Sequence, residues 1–330
     1  MGESFLACRV FNEDGRVGHK LTNMSVDELT AGDVLIRVEY SSINYKDALA
    51  ASGRGKIMKA FPLNAGIDLA GEVVSCQDGS FSAGDKVVVN GCGIGEQFDG
   101  GLAQYARVNK DFVMAMPQGL DARLAMALGT AGFTAALALH RMQENNQTTD
   151  KGPIVVTGAS GGVGSIAVNL LASQGYQVIA VSGRAEHYDF LKQLGADEVV
   201  SVEQLNLGSK PLEKGRFGGV IDNVGGQLLS QLIAHVNLWG NVASIGLASS
   251  HQLDTTVFPL ILRGVSLLGV SSTNCPMTLR KAIWQRLGAD LKPTGLESII
   301  TDEVALANIS PVFEQILERK RYGRVIIKCE

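Results

Sequence analysis

The residues whose types and spacing carry the most chemistry in this chain lie between Pro153 and Arg184. An apolar run, Ile154-Val155-Val156-Thr157, leads into Gly158-Ala159-Ser160-Gly161-Gly162-Val163-Gly164. Beyond it Val163, Ile166, Ala167, Leu170 and Leu171 recur at the spacing of one buried helical face. A helix that begins in such a turn aims its free N–H groups and the positive end of its dipole into the turn, where they hold phosphate through backbone donors. Read from Ala159, the turn is A-x-G-x-x-G: Gly161 lets a pyrophosphate approach the backbone, and Gly164 lets the helix pack closely on the strand. The pattern predicts a dinucleotide lying against Ser160, Gly161, Gly162 and Val163.

The next apolar run, Gln177-Val178-Ile179-Ala180-Val181, ends in Ser182-Gly183-Arg184. A nucleotide with free ribose hydroxyls is usually met by Asp or Glu about 20 residues past the fingerprint, and no carboxylate stands here. Arg184 can make paired, charge-assisted bonds to a 2′-phosphate, Ser182 adds a hydroxyl, and Gly183 lets the backbone come close. The predicted cofactor is NADPH.

The elements that must position these residues follow from periodicity. From about Asp121 onward strands alternate with helical runs, as a doubly wound parallel sheet requires. Gly219 to Asp222 and Asn241 to Ile245 read as further parallel strands whose carboxyl ends border the cofactor crevice. Before the fingerprint the period is two: Val34, Ile36, Val38 and Tyr40 share one face. Phe5 to Phe11, Ile67 to Cys76, Lys86 to Asn90 and Leu102 to Val108 read as neighbouring antiparallel strands of a small barrel. Beyond Ser272 a helix is predicted around Leu279 to Leu291, another with Ser310 as its cap and Pro311 in its first turn, and a last strand over Arg324 to Lys328. The fold class is α/β: a small β-barrel domain over 1–123, a doubly wound Rossmann domain over 124–273, and a return segment, 274–330, completing the first domain.

Composition narrows the function classes. With 330 residues, 45% hydrophobic and 19% charged, the chain can bury full cores. A net charge of -4 gives no basic field for nucleic acid or an anionic membrane. Leu124 to Leu139 is uncharged but short and rich in Ala, Gly and Thr, which suits a buried helix rather than a membrane span. The first residues show no basic region followed by an apolar core, so a cytoplasmic protein is expected. Cys8, Cys76, Cys92, Cys275 and Cys329 form no C-x-x-C pair, and the five histidines lack ligand spacing, so no metal site is expected.

Four strings carry a family resemblance: Ser42-Ile43-Asn44-Tyr45-Lys46-Asp47, Gly66-Ile67-Asp68-Leu69-Ala70-Gly71-Glu72-Val73, Gly100-Gly101-Leu102-Ala103 and Gly129-Thr130-Ala131-Gly132-Phe133-Thr134-Ala135. The whole chain resembles the medium-chain dehydrogenase/reductase superfamily, in which a GroES-like catalytic domain is joined to a Rossmann domain. In its zinc alcohol dehydrogenases the first string carries a cysteine ligand and the second reads G-H-E. Here Asn44 and Ile67-Asp68 stand instead, and the cysteine-rich loop is reduced to Cys92, so the resemblance implies a zinc-free reductase of the quinone-oxidoreductase branch. Within that branch Met116 to Arg123 and Val181 to Arg184 resemble reductases of acryloyl-CoA. Ala65 stands where those relatives tend to have proline.

The resemblance further implies that Tyr45 lies by the nicotinamide, as a lining or as a proton donor, that Thr130, Leu247, Ile261 and Ser271 line the nicotinamide side, and that two subunits pair through Val265 to Val270. Asn44 and Asp47 remain open between site and turn roles. Arg54, Lys56 and Lys59 could meet the phosphates of coenzyme A or be a solvated charge run. Without a Lewis acid, hydride addition to a simple carbonyl is demanding, whereas conjugate addition spreads charge into an enolate that hydrogen bonds can hold. The expected reaction is NADPH-dependent reduction of acryloyl-CoA to propanoyl-CoA. The alternatives are a quinone or small-enone reductase and a non-catalytic NADPH-binding protein.

Overall fold

Six parallel strands carry the glycine turn in the computed structural model, which describes residues 4–330. Their order across the sheet is Glu198–Val200, Val178–Val181, Ile154–Val156, Phe217–Asp222, Val236–Ser244 and Ser266–Gly269. The first strand in sequence is third in space, and the order in which strands are added reverses between it and its parallel neighbour Phe217–Asp222. That is the order in which a doubly wound sheet opens its crevice, beyond the carboxyl ends at the reversal. Helices cover both faces of such a sheet, so its strands are apolar throughout rather than alternating: Ile154, Val155, Val156, Val220 and Ile221 are all buried.

The other sheets are mostly antiparallel. One runs Ile300–Ala305, Arg324–Lys328, Val34–Ser42, Asp68–Cys76, Lys86–Asn90 and Met114–Ala115, with Tyr105–Val108 also pairing to Val34–Ser42. A three-stranded sheet holds Arg16–Met24, Phe5–Glu13 and Leu63–Asn64. Val34, Ile36 and Val38 point into the core as their alternation requires, but Tyr40 does not. The register against Asp68–Cys76 slips between Val38 and Tyr40. This bulge turns the Tyr40 ring outward, where its hydroxyl donates to Glu303 at 2.9 Å.

The chain forms two compact units. One runs to Thr130 and resumes over Thr273–Ala289 and Ile300–Glu330; the other holds Ala131–Ser272 and Asp290–Ile299. Two points correct the expected boundaries. The first unit ends at Thr130 rather than at residue 123, because the helix Ala122–Glu144 breaks at Gly129 (φ 49, ψ -152). The segment expected to return whole to the first unit gives up Asp290–Ile299. There the Gly295 N–H donates to Asn169 Oδ1 at 3.0 Å, and Gln174 Nε2 donates to the Asp290 carbonyl at 2.9 Å, tying the segment to the glycine-turn helix Gly162–Ser173 and the residue that follows it. Ala122–Glu144 is long and apolar enough to cross a membrane, but 83% of its apolar 18-residue window is buried inside the protein, as in a core helix.

Candidate dinucleotide site and the Tyr45 turn

The dinucleotide-binding half is built at the reversal of the sheet. The helix begins at Gly162 with Gly161 as its cap, so the first-turn N–H groups of Gly162 and Val163 have no acceptor within the helix. Gly158 takes φ +57, and a Cβ on Gly164 would lie 2.3 Å from the Gly158 carbonyl, so the turn closes only because both are glycine. Ala159 is fully buried, and its N–H donates to the Val181 carbonyl at 3.1 Å, so a methyl group fits where the fingerprint usually has its first glycine.

A pair of buried polar residues latches the two strands at the reversal. Thr157 Oγ1 donates to Asp222 Oδ1 at 2.7 Å, the Asn223 N–H donates back to Thr157 Oγ1 at 2.9 Å, and Asn223 Nδ2 donates to the Thr157 carbonyl at 2.8 Å. Burial pushes the Asp222 carboxyl up, while Thr157 and the Gly225 and Val224 N–H groups pull it down. The run Asp222-Asn223-Val224-Gly225-Gly226, polar residues leading into paired glycines, is the sequence signal for this latch beyond the strand end at Asp222.

At the end of Val178–Val181 the Ser182 side chain is buried and Arg184 is half-buried. Ser182 Oγ accepts the Arg184 N–H at 3.3 Å, so the hydroxyl and the guanidinium are set by one turn. The Arg184 side chain makes no hydrogen bond or ion pair among the described residues. A Cβ on Gly183 would meet nothing within 4 Å, so open space lies beside it. An unpaired cation, a buried hydroxyl and free space suit a phosphate, and with the helix N-terminus they fit a phosphorylated dinucleotide. Of the other positions expected in this unit, Leu247 and Ile261 are 68% and 70% exposed and Ser271 is also exposed, so none of the three is held in the core.

In the first unit the Asn44-Tyr45-Lys46-Asp47 string starts the helix Tyr45–Ser52. Asn44 and Asp47 form its capping box: the Asn44 N–H donates to Asp47 Oδ2 at 2.8 Å. Asn44 is wholly occupied within the protein, its Nδ2 on Asp68 Oδ2 at 2.7 Å and its Oδ1 accepting from Arg324 at 3.1 Å. Asp47 is buried and also takes the Ile67 N–H at 2.9 Å. Burial, then the Asp68 charge, push its carboxyl up to about 7 against these hydrogen bonds. Tyr45 is different: it is 50% exposed and its hydroxyl is free of hydrogen bonds among the described residues. Of the string, Tyr45 alone is therefore free to meet a ligand by its hydroxyl, while Asn44 and Asp47 hold the turn.

Thr130 is gripped by Asp68, through its N–H at 2.9 Å and its hydroxyl at 2.6 Å. Lys46 is paired with Glu96 at 2.8 Å and reaches Thr273 at 3.1 Å. Arg54 lies 3.7 Å from Glu314, both well exposed, so the basic loop is part of a mixed-charge surface. The described residues contain no group of three or more His, Cys, Asp or Glu side chains placed to hold a metal. Burial pushes the Cys92 thiol up.

This fold and these motifs agree with the comparisons. Residues 30–118 match the Alcohol dehydrogenase GroES-like domain and residues 162–287 match the Zinc-binding dehydrogenase family. The chain belongs to the medium-chain dehydrogenase/reductase family. It is 46% identical to Escherichia coli (strain K12) "Probable acrylyl-CoA reductase AcuI" over 96% of this chain and 97% of that one. It is 44% identical to Bacillus subtilis "Putative quinone oxidoreductase YhfP" over 99% of this chain and 100% of that one. The yhfP crystal structure, with NAD bound, superposes at a TM-score of 0.97 over 99% of this chain and 100% of that one. The yhdH oxidoreductase of Salmonella enterica in complex with NADP superposes at 0.95, 43% identical, over 98% of this chain and 100% of that one. In the two strings where the resemblance places zinc ligands this chain has Asn44 and Ile67-Asp68.

Proposed function

We propose that this protein is a cytoplasmic NADPH-dependent reductase of activated carbon–carbon double bonds, with acryloyl-CoA, reduced to propanoyl-CoA, as its acceptor. The observation that carries the cofactor assignment is the unpaired Arg184 beside buried Ser182 and the open space at Gly183. A bound relative with NADP and two relatives named for acryloyl-CoA and quinone reduction support the reaction class. Ser160, Gly161, Gly162 and Val163 would cradle the pyrophosphate, and the Arg184 guanidinium would face the 2′-phosphate. The cofactor supplies a hydride to the β-carbon of the acceptor, and a proton completes reduction at the α-carbon.

The protein's own part is orientation and charge placement. Asn44 offers an amide already bonded at both ends and Ile67 an aliphatic chain, so neither can polarise a carbonyl as a metal ligand set would. An acceptor whose negative charge is spread over an enolate needs less help, and a hydroxyl such as that of Tyr45 can hydrogen-bond it or pass it a proton. Positioning against the nicotinamide accounts for the rest.

The test follows the loss of NADPH absorbance with acryloyl-CoA, crotonoyl-CoA and a simple quinone side by side. Turnover fastest with acryloyl-CoA is expected. A quinone rate far above the thioester rate would assign the protein to quinone reduction, and tight NADPH binding without turnover of any acceptor would make it a binding protein.

A further inference from the structure

The break at Gly129 is held by two buried charges that no sequence motif joined. A helix that stops exposes carbonyls at its C-terminus, and one that starts exposes N–H groups at its N-terminus. Here both ends lie within a few residues. Arg324 Nε donates to the Ala127 carbonyl at 2.9 Å, and its other nitrogens reach the Ile43 carbonyl at 3.3 Å and Met126 carbonyl at 3.5 Å. Asp68 takes the Thr130 N–H. Each charge has the sign that opposes the helix dipole at its own end.

The space between them excludes any side chain: a Cβ on Gly129 would lie 2.7 Å from Asp68 Oδ2, 2.7 Å from Ser42 Oγ and 3.0 Å from an Arg324 nitrogen. Asp68 is fully buried and receives four donors, from Ser42 Oγ at 2.7 Å, Asn44 Nδ2 at 2.7 Å, and the Thr130 N–H and hydroxyl. Arg324 is 3% exposed and ties the last strand of the chain to Asn44 Oδ1. One carboxylate thus grips both Thr130 and the residue that caps the Tyr45 helix.

We propose that Asp68 and Arg324 are positioning residues that cap the two halves of the broken helix and so set Thr130 and Tyr45 for the reaction. The proposal rests on the reading that these two residues lie by the nicotinamide. If so, Asp68 acts on the reacting atoms only through Thr130 and through Asn44, the cap of the Tyr45 helix, and its loss is felt as misplacement rather than as lost affinity.

The test is a double-mutant cycle of Asp68→Asn and Thr130→Val, with Thr130→Ser as the rescue that keeps the hydroxyl. It is read on kcat and on the fluorescence lifetime of bound NADPH, which reports how firmly the nicotinamide is fixed. A misplacement of about 1 Å costs about a hundredfold in rate, so each single variant should lose on the order of tenfold to a hundredfold in kcat and shorten the lifetime. NADPH Kd should change less than about threefold, since the 2′-phosphate is held at Arg184. The double variant should lose no more than the worse single one, because both break the same link. The Thr130 amide proton resonance, bonded to a carboxylate in the wild type, should move upfield in Asp68→Asn.

Additive losses in kcat and lifetime, or a lower melting temperature with both readouts intact, would overturn the proposal. Should Asp68→Asn fail to fold, Thr130→Val against Thr130→Ser decides alone: loss in the first and recovery in the second support it, and equal values in both sink it. The nicotinamide reading fails separately, if Tyr45→Phe and Thr130→Val both leave the lifetime at its wild-type value.

Discussion

At the scale of single residues the chemistry divides between two side chains left free among the described residues, Arg184 and Tyr45, and several fully engaged. The Arg184 side chain has no hydrogen bond or ion pair among the described residues, so its removal should act chiefly on the ligand. A hydrogen bond to a charged group contributes about 1.5–3 kcal/mol, and Arg184→Ala should lower the preference for NADPH over NADH by roughly tenfold to a hundredfold, read from the two Kd values at fixed salt. The free Tyr45 hydroxyl predicts that Tyr45→Phe lowers kcat by about a hundredfold to ten-thousandfold, with NADPH Kd nearly unchanged, if it passes the proton. An unaltered kcat would make Tyr45 a lining residue with water as the donor. Asp47 gives a stability prediction of definite sign. Its folded carboxyl is raised to about 7, so from the ordinary carboxylate range up to that pH the folded state binds more protons than the unfolded one. Stability should therefore fall as pH rises, with a lower urea midpoint at pH 8 than at pH 5. Asp47→Asn should remove this contribution to the slope while lowering both midpoints, because its amide nitrogen would face the Asn44 or Ile67 N–H donor.

At the scale of elements, glycines with the same name do opposite work. A Cβ on Gly164 would meet the Gly158 carbonyl at 2.3 Å, whereas one on Gly183 would meet nothing within 4 Å. Gly164→Ala should move the helix off its strand and lower the melting temperature by several degrees, a loss of about 1–3 kcal/mol. Gly183→Ala should leave the melting temperature in place and weaken NADPH binding alone, by crowding the phosphate; thermal unfolding without ligand and titration with it separate the two effects. The glycine turn was legible in the sequence because a strand, a fixed glycine spacing and a 3.6-residue period are all local signals. The strand Arg16–Met24 was not read, since its composition is polar; the signal was Asp14-Gly15, which takes positive φ at both residues as a tight hairpin turn requires. The Asp68 and Arg324 pair was not legible at all. Its partners are 256 positions apart in the numbering of one chain, 324 less 68, and the helix they interrupt reads as continuous because Ala, Leu and Met run on both sides of Gly129. A break held by tertiary charges leaves no period to detect.

At the scale of the whole molecule the parallel sheet ends in a strand that can pair again. Ser266–Gly269 is one of its two edges, paired on one side only, to Val236–Ser244. An edge strand offers a row of backbone groups to another strand, and monomers usually blunt it with charge or proline. Here Leu267 is partly exposed, and the residues in the same unit include Leu238, Trp239 and Leu262, all more than half exposed. Trp239 is not loose: its ring lies over Gly264, where a Cβ would meet it at 2.8 Å, so the backbone is shaped to present it. Large apolar side chains held on a surface are what an association site would use. Two copies pairing this edge would continue the sheet across a two-fold axis, burying the same residues from each. The expected mass by sedimentation is therefore twice the 34.9 kDa of one chain. Leu262→Asp together with Trp239→Asp should shift the protein to the mass of one chain without altering its circular dichroism. A wild-type protein that sediments as a single chain at micromolar concentration would rule the pairing out, and a variant that stays dimeric would place the contact on another face.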